Sequence, residues 1–575
     1  MDRVTISEPA SPGSALFQHY DVQEISRYYR WRFLRVFARA LSVSLRLLAF
    51  YTGLQFDRLF NRTGPKQVQR RSIQLRDLLT DLGPTFIKVG QALSTRADLV
   101  RADYLEELTK LQDQLPTFPN RIAFAIIERE LGDVVDEIYA SMETRPVAAA
   151  SLGQVYKARL KSGEMVAVKV QRPNLRKKLT LDLYIIRWMS TWVYRWLPLN
   201  LGQSLTEAVD EFGIKLFEEI DYINEGQNCE RFAGYFQDDP EVYVPSIHWQ
   251  YTSRRVLTLE WIDGIKLTDT QAIQSAGLEI QKLIRIGVES SLKQLLEHGF
   301  FHADPHPGNL FALRDGRLAF IDFGMMDQLT QDRKERLVDA LVHMVNQDYA
   351  SLFEDFQYLE FLTEKVEPAP IVDAMQLMLD DILNEKVKDF NFKTATDRFA
   401  GLVYEYPFRV PPNFALIIRS LVTLEGVALS LSPDFRIIGV AYPYVARRLL
   451  TDESPQLRQR LLEVLFQDGK FRWQRLENLI DIARTDGNAL NLTSTARVAV
   501  GYLMSDEASD LRRQIVVALT EDDRLHVEEI QRLWERIQPE LTPEQLLQAA
   551  TASIRDALPE AVVAPIDQLS RLLPH

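Results

Sequence analysis

Residues 299–324 read GFFHADPHPGNLFALRDGRLAFIDFG, and the rest of the chain is organised around them. His302-x-Asp304 followed by Asn309 places a carboxylate and a carboxamide on one short loop. The apolar run Leu318 to Ile321, read as a strand, then delivers Asp322 ahead of Phe323-Gly324. Transfer of a phosphoryl group asks little covalent chemistry of a protein. It needs a base to orient the attacking hydroxyl or water, and oxygen ligands that hold Mg²⁺ against the phosphates. Asp304 suits the first task, and Asn309 with Asp322 suits the second. Asp, Asn and Pro also serve turn geometry, but this spacing, closed by Asp-Phe-Gly, favours the metal-ligand reading.

Working outward, 575 residues exceed a single core, so about two to four structural units are expected. A 46% apolar and 26% charged composition is ordinary for a globular protein. The net charge of −13 speaks against broad nucleic-acid binding. Cys229 is the single cysteine, which excludes an internal disulfide and a cysteine-rich metal site, and points to a reducing compartment. The sequence has no run of eighteen uncharged apolar residues and therefore reads as having no membrane span. Asp2 and Glu8, with no apolar stretch before Tyr20, do not read as a signal peptide, and residues 1 to 20 read as a loose tail. Without a transit peptide, the setting reads as bacterial or organellar.

From Ser26 to Arg62 the chain carries eight arginines and one acid, Asp57. At helical spacing Arg32, Arg35, Arg39 and Arg46 share one face, and Leu34, Phe37, Leu41, Leu45 and Leu48 share the opposite one. Two readings stand side by side. In one, this is a membrane-surface helix whose arginines meet the headgroups. In the other, the leucine face docks on the main domain and the arginines are solvated.

Further along, Asp81-Leu-Gly-Pro84 reads as a turn, and Thr85 to Ser94 as a helix carrying Lys88 and Gln91. Val155-Tyr156, the Lys161-Ser-Gly163 turn and Met165 to Val170 make a hairpin. The next insertion spaces Trp188, Trp192 and Trp196 by four, which reads as core packing. Glu207 to Phe232 reads as one helix containing Glu219, Asp221 and Glu225. Strands over 242–244 and 255–260 then lead to a breaker at Trp261-Ile-Asp-Gly264. After Gly324 the pattern is helical to the end.

Lys169, among Ala167, Val168 and Val170 on a strand, is placed to set a cation against phosphates. A lysine in an apolar setting needs a carboxylate partner. Glu225 is the preferred partner and Glu219 the rival. Glu260 to Ile262 would offer backbone groups to a purine. Cys229 reads as an inert helix-borne thiol, and His302 as a prop for its loop.

Taken in order, these pieces resemble the ABC1/ADCK/UbiB (AarF-type) family of atypical protein-kinase-like proteins. The resemblance rests on LGPTFIKVGQALSTRADL at 82–99, similar to that family's Lys-x-Gly-Gln helix, on Ala148-Ala149-Ala150-Ser151, similar to its alanine-rich loop, and on Glu219-x-Asp221. It spans about residues 70 to 450. Ala97 stands where proline is usual and Gly153 where the loop often has alanine. The resemblance implies an α+β, two-lobed kinase-like fold, with a β-rich N-lobe, a helical C-lobe and a helical C-terminal region. The expected boundaries are 1–69, 70–262, 263–452 and 453–575.

The resemblance also implies ATP or ADP with Mg²⁺ as cofactors. It implies catalytic roles for Asp304, Lys169, Glu225, Lys88 and Gln91, and metal ligation by Asn309 and Asp322. Nucleotide contacts fall to Ala148, Ala149, Ala150, Ser151, Lys169, Glu219, Asp221, Glu260 and Ile262. The implied function is an ATPase or small-molecule kinase serving prenylquinone or prenyl-lipid metabolism, peripheral to a membrane on its cytoplasmic side. The competing readings are a Ser/Thr protein kinase, a nucleotide-switched scaffold and a choline- or antibiotic-type phosphotransferase. The Lys-x-Gly-Gln helix and the alanine loop speak against the last.

Overall fold

The computed structural model describes residues 17–62, 64–94, 100–112, 117–149, 152–193, 204–303, 307–346, 348–362, 367–384, 410–431, 435 and 437–451, with a few positions beyond. Asp304, His306, Ala150, Ser151, Trp196 and nearly all of the expected 453–575 region lie outside them. Contact clustering divides the chain into two units. One comprises 1–334, 356–367 and 392–433; the other comprises 335–355, 368–391 and 434–575.

The first unit opens with helices α1 (Val22–Arg30), α2 (Phe33–Leu59), α3 (Pro65–Leu82), α4 (Pro84–Leu93), α5 (Ala102–Thr109), α6 (Asn120–Leu131) and α7 (Val135–Ile138). Strands β1 (Tyr139–Met142), β2 (Ala148–Ala149), β3 (Gly153–Leu160) and β4 (Met165–Gln171) follow, then helices α8 (Leu175–Val193), α9 (Leu205–Glu219) and α10 (Tyr222–Tyr235). After β5 (Val242–Tyr243), strand β6 (Val256–Glu260) completes an antiparallel sheet ordered β1-β3-β4-β6, with β2 also pairing β3. This is the β-rich lobe expected from the hairpin, and Lys169 lies in its middle, opposite Val155 and Leu257.

The period-two alternation of β4 explains why a lysine can sit there. Val166, Val168 and Val170 point to one face and join Ile126 and Ile127 of α6 in a closed core. Each such fully buried side chain contributes roughly 1.5–3 kcal/mol relative to exposure. Ala167 lies on the other face with Leu257, Leu259 and Tyr222, and Lys169 shares that face by the same alternation.

The second lobe carries β7 (Ile265–Lys266), α11 (Thr270–Ser275), α12 (Ile280–Lys293), β8 (Phe300–His302), β9 (Leu310–Ala312), β10 (Leu318–Phe320) and β11 (Met326–Gln328). Strands β5, β10, β9 and β7 form one small sheet, and β11 pairs with β8. The core of this lobe joins Phe232 of α10 to Leu283, Ile286, Phe320 and Phe323. It is here that Cys229 lies buried, its thiol donating to the Pro245 carbonyl at 3.3 Å. Burial pushes that thiol far up, in keeping with an inert residue.

Four expectations need correction. Glu207 to Phe232 is not one helix: α9 ends at Glu219, and Asp221 caps a new helix by accepting from the Ile223 amide at 3.1 Å. An aspartate at that point competes for backbone donors and restarts the helix. Trp188 and Trp192 are exposed rather than core. The presumed tail is ordered from Phe17, which is buried between Tyr28 and Tyr29. Finally, β11 interrupts the pattern read as helical after Gly324.

Of the two readings of the N-terminal basic helix, docking through the leucine face with the arginines solvated is overturned, and the arginine face is not wholly free for headgroups either. Arg39 turns inward and grips the Asp182 carboxylate on α8 at 2.7 and 3.0 Å, while donating to the Leu82 carbonyl at 2.6 Å. Asp57 is buried and held by Arg71 at 2.6 Å and Gln67 at 2.8 Å. It is the leucine face that lies in solvent. A guanidinium fork finds a bidentate carboxylate partner here, a pairing that neither amphipathicity nor charge count reveals.

The second unit contains most of α13 (Gln331–Asn346), the first part of α14 (Tyr349–Tyr358), α15 (Pro368–Asn384) and a helix Ile438–Thr451. Asp355, fully buried, accepts from Arg336 at 3.0 Å and meets His343 Nδ1 at 2.6 Å. The hydrogen bond to Asp355 raises the His343 pKa above its ordinary 6.5, against the opposing effect of burial. A raised folded-state value stabilises the fold below the unfolded pKa, and that stability is lost as pH rises through the folded one. We therefore expect the thermal midpoint of the wild type, relative to His343→Gln, to fall as pH is raised from about 6.5 upward. A difference that stays flat over that range would refute the ion pair.

Candidate active site

Two lysines and three carboxylates converge next to Gly324. Lys169 on β4 contacts Glu225 in the first turn of α10 and lies 3.7 Å from Asp322. Lys88 on α4 contacts Glu219 at the last turn of α9. A methyl group added at Gly324 would lie 3.3 Å from Asp322 Oδ1, 3.8 Å from Glu225 Oε2 and 3.9 Å from Glu219 Cγ. The break at Asp221 is what separates the two glutamates and sends each to its own lysine. The partner of Lys169 is thus Glu225, and the rival, Glu219, serves Lys88.

The charges act strongly on one another. Burial alone would lower the Lys169 ammonium, yet Asp322 and Glu225 hold it well above the ordinary lysine range. Asp322 is drawn down to about 2: the protein packed around it opposes ionisation, but Lys169 and the Gly324 amide outweigh it. Glu225 is pushed up to about 7, because burial, joined by the Asp322 charge, outweighs Lys169. Asp322 is thus firmly anionic at neutral pH, and 39% of its side chain remains exposed toward whatever approaches.

Asn309 is brought to Asp322 by the β9–β10 hairpin. Leu310 pairs with Phe320, and the Ile321 amide donates to the Asn309 carbonyl at 3.2 Å. Asp322 itself accepts from the Gly324 amide at 3.0 Å. One carboxylate and one carboxamide oxygen match what Mg²⁺ takes from protein when substrate phosphates supply the rest of its shell. Asn309 and Asp322 would hold the ion, which would supply positive charge to offset that of the phosphates.

Other expected site residues have structural engagements. Gln91 donates to the Leu111 carbonyl at 3.0 Å. Beside it, a Cβ on Gly90 would lie 2.4 Å from Leu111, so Gly90 lets α4 press against that segment. Asp221 caps α10 and lies 3.7 Å from Arg254. The Glu260 carboxylate accepts from the Tyr243 hydroxyl at 2.6 Å, and the Glu260 and Trp261 amides bond the Ser246 and Met165 carbonyls at 2.9 and 3.0 Å. Ile262 follows directly on this hinge. Ala148 and Ala149 pair with Val155 and Gln154 at the mouth of the sheet. His302 is buried on β8, its amide bonded to Gln294 at 2.9 Å.

The sequence reading missed Tyr222. A Cβ on Gly153 would lie 2.4 Å from its hydroxyl and 2.6 Å from the Val170 carbonyl, which accounts for glycine rather than alanine there. The signal was its spacing: Tyr222 and Glu225 stand three apart and so share a helix face. Asn228, one turn further on, donates to the Phe323 carbonyl at 3.2 Å and ties α10 to the Asp-Phe-Gly segment.

This order of strand lysine, helix glutamate and Asp-Phe-Gly matches what comparison with known proteins returns. The ABC1 atypical kinase-like domain matches residues 110–356, and the UbiB helical domain matches 375–436. The chain belongs to the ABC1 atypical kinase-like family. An uncharacterised protein of Synechocystis sp. is 57% identical over 551 residues, covering 96% of this chain and 97% of that one. The chloroplastic protein ACTIVITY OF BC1 COMPLEX KINASE 1 of Arabidopsis thaliana is 44% identical over 520 residues, covering 88% of this chain and 76% of that one. ACTIVITY OF BC1 COMPLEX KINASE 3, also chloroplastic, is 47% identical over 498 residues, covering 86% and 70%.

Lys88 and Glu219 are nearly buried, so removing one strands the other's charge. Lys88→Met is expected to destabilise the protein by about 1–3 kcal/mol, with Lys88→Met/Glu219→Gln recovering most of the loss. Thermal midpoints of the two single variants and the double variant check this, and simple additivity would refute the pairing.

Proposed function

We propose that this protein binds Mg–nucleotide and carries out phosphoryl transfer, as an ATPase or a kinase of a small molecule or lipid. The observation that carries the reading is Lys169, contacting Glu225 and standing 3.7 Å from Asp322. A cation fixed between two carboxylates has little freedom of its own, so it meets the α- and β-phosphates pre-positioned. Asp322 and Asn309 hold the metal. Asp304, which falls between β8 and β9 in the sequence, orients the attacking oxygen. The apolar face made by Ala167, Leu257 and Leu259 suits a flat base, with the hinge at Glu260 to Ile262 alongside.

The acceptor we propose is small. α4 lays Lys88 onto Glu219 beside the Asp-Phe-Gly segment, on ground that a peptide hydroxyl would need. The family resemblance directs this chemistry to prenylquinone or other prenyl-lipid metabolism, with small molecules or enzymes of such a pathway as partners at a membrane surface. The chloroplastic relatives favour a photosynthetic bacterial or organellar setting. Among the described residues no helix is long and apolar enough to cross a membrane.

Asp322→Asn is expected to weaken Mg²⁺-dependent nucleotide binding by at least about tenfold, read by calorimetric titration with and without the metal. Asp304→Asn should leave that binding nearly intact while turnover falls about a hundredfold or more. Equal turnover in wild type and Asp304→Asn would turn the protein into a nucleotide-controlled binding module rather than an enzyme.

A further inference from the structure

The outward side of α2 is apolar along its whole length. Leu34, Phe37, Leu41, Leu45, Leu48 and Leu59 fall within an arc of about 100° at helical spacing and extend over roughly 38 Å. All six are exposed, Leu34 by 70% and Leu59 by 80%. No charged residue falls inside the arc. A soluble surface rarely keeps so long an apolar stripe in water without a use for it.

This exposure is built in rather than left over. The inner side of α2 is fully committed: Val43 is buried with Leu79 and Phe86, Arg39 is locked on Asp182, and Asp57 on Arg71. The helix cannot turn its leucines inward without breaking both ion pairs. Its ends are basic and aromatic. Arg30, Arg32 and Arg35 with Trp31 are exposed at one end, and Arg58 and Arg62 with Phe60 at the other. Its single acid is the buried Asp57. Against a net charge of −13 for the chain, this is a local cationic frame around an uncharged stripe.

We infer that the outer face of α2 is the surface by which this protein lies on a lipid bilayer, with the leucine stripe sunk to the acyl boundary and the end arginines at the headgroups. An apolar stripe with basic and aromatic ends is what an interfacial helix offers a bilayer. The charge complementarity favours anionic lipid over a second copy of this acidic chain. The neighbouring helix α8 exposes Trp188 and Trp192, ring centroids 6.5 Å apart, amphipathic side chains of the kind enriched at such interfaces. The inference rests on the membrane setting of the proposed function and deepens it. It also differs from a purely electrostatic attachment: Arg39 is spent inside the protein, so the apolar term dominates and salt cannot screen it.

The test is co-sedimentation of the full chain with vesicles of phosphatidylcholine containing a minor fraction of phosphatidylglycerol, across a salt series, with nucleotide titration run separately. Wild type should bind, and its binding should weaken but survive high salt. Leu41→Glu, and independently Leu34→Glu, should each lower vesicle affinity by about tenfold or more, since a buried leucine is worth about that factor. Both positions are exposed, so thermal midpoint and Mg–nucleotide affinity should stay unchanged. That separates failure here from failure of the nucleotide site. Absence of vesicle binding, or binding that high salt abolishes and the leucine variants leave untouched, overturns the inference. So does a wild-type dimer without vesicle binding that Leu41→Glu converts to monomer.

Discussion

Two lysine charges held out of water next to three carboxylates set the terms for this fold. Leaving any one of those charges unpaired in such surroundings costs several kcal/mol, more than most single contacts return. The chain therefore has to bring a strand, three helices and the Asp-Phe-Gly segment to one point with the charges matched. Lys169 answers to Glu225 and Asp322, and Lys88 answers to Glu219. One negative charge more than positive remains, and Glu225, raised to about 7, is the group that absorbs the excess. A bound metal would change that balance, since it adds positive charge at Asp322.

The hydrogen-bonded cap at Asp221 is the device behind this matching. Had residues 207–232 run as a continuous helix, Glu219 and Glu225 would stand six residues apart, about 240° around the axis, and face different ways from one rigid rod. Ending α9 and restarting at Tyr222 sets the two carboxylates free of that constraint. Glu225 Oε2 and Glu219 Cγ then both come within 4 Å of a Cβ placed on Gly324.

What the sequence made legible follows the same division. The hairpin, the strand lysine, the Asn309 and Asp322 pair and the Lys88 helix were readable because each depends on local pattern: alternation, a turn, a motif at fixed spacing. Glu225 was readable as a preference only, since both glutamates lay within one apparent helical run. The orientation of α2 was not readable. Its two faces are plain in the sequence, but which one turns inward depends on Asp182, 143 residues beyond Arg39. Periodicity carries no information about so distant a partner. Tyr222 escaped for a related reason, because its role depends on the closeness of Gly153 across the sheet.

Asp182 joins α2 to the start of α4. Its Oδ1 and Oδ2 accept from Arg39 of α2, and Oδ2 also accepts from Thr85 in the first turn of α4 at 2.8 Å. Arg39 in addition holds the Leu82 carbonyl at the end of α3. Between them lies Gly83, with φ of +104°, a conformation that costs other residues strain and lets α4 begin at once from Pro84. One turn later α4 presents Lys88 to Glu219. A displacement of α2 thus has a short, stiff route to the start of the Lys88 helix, made of charged hydrogen bonds with little slack. The inner side of α2 and Lys88 are two ends of one chain of hydrogen bonds and ion pairs.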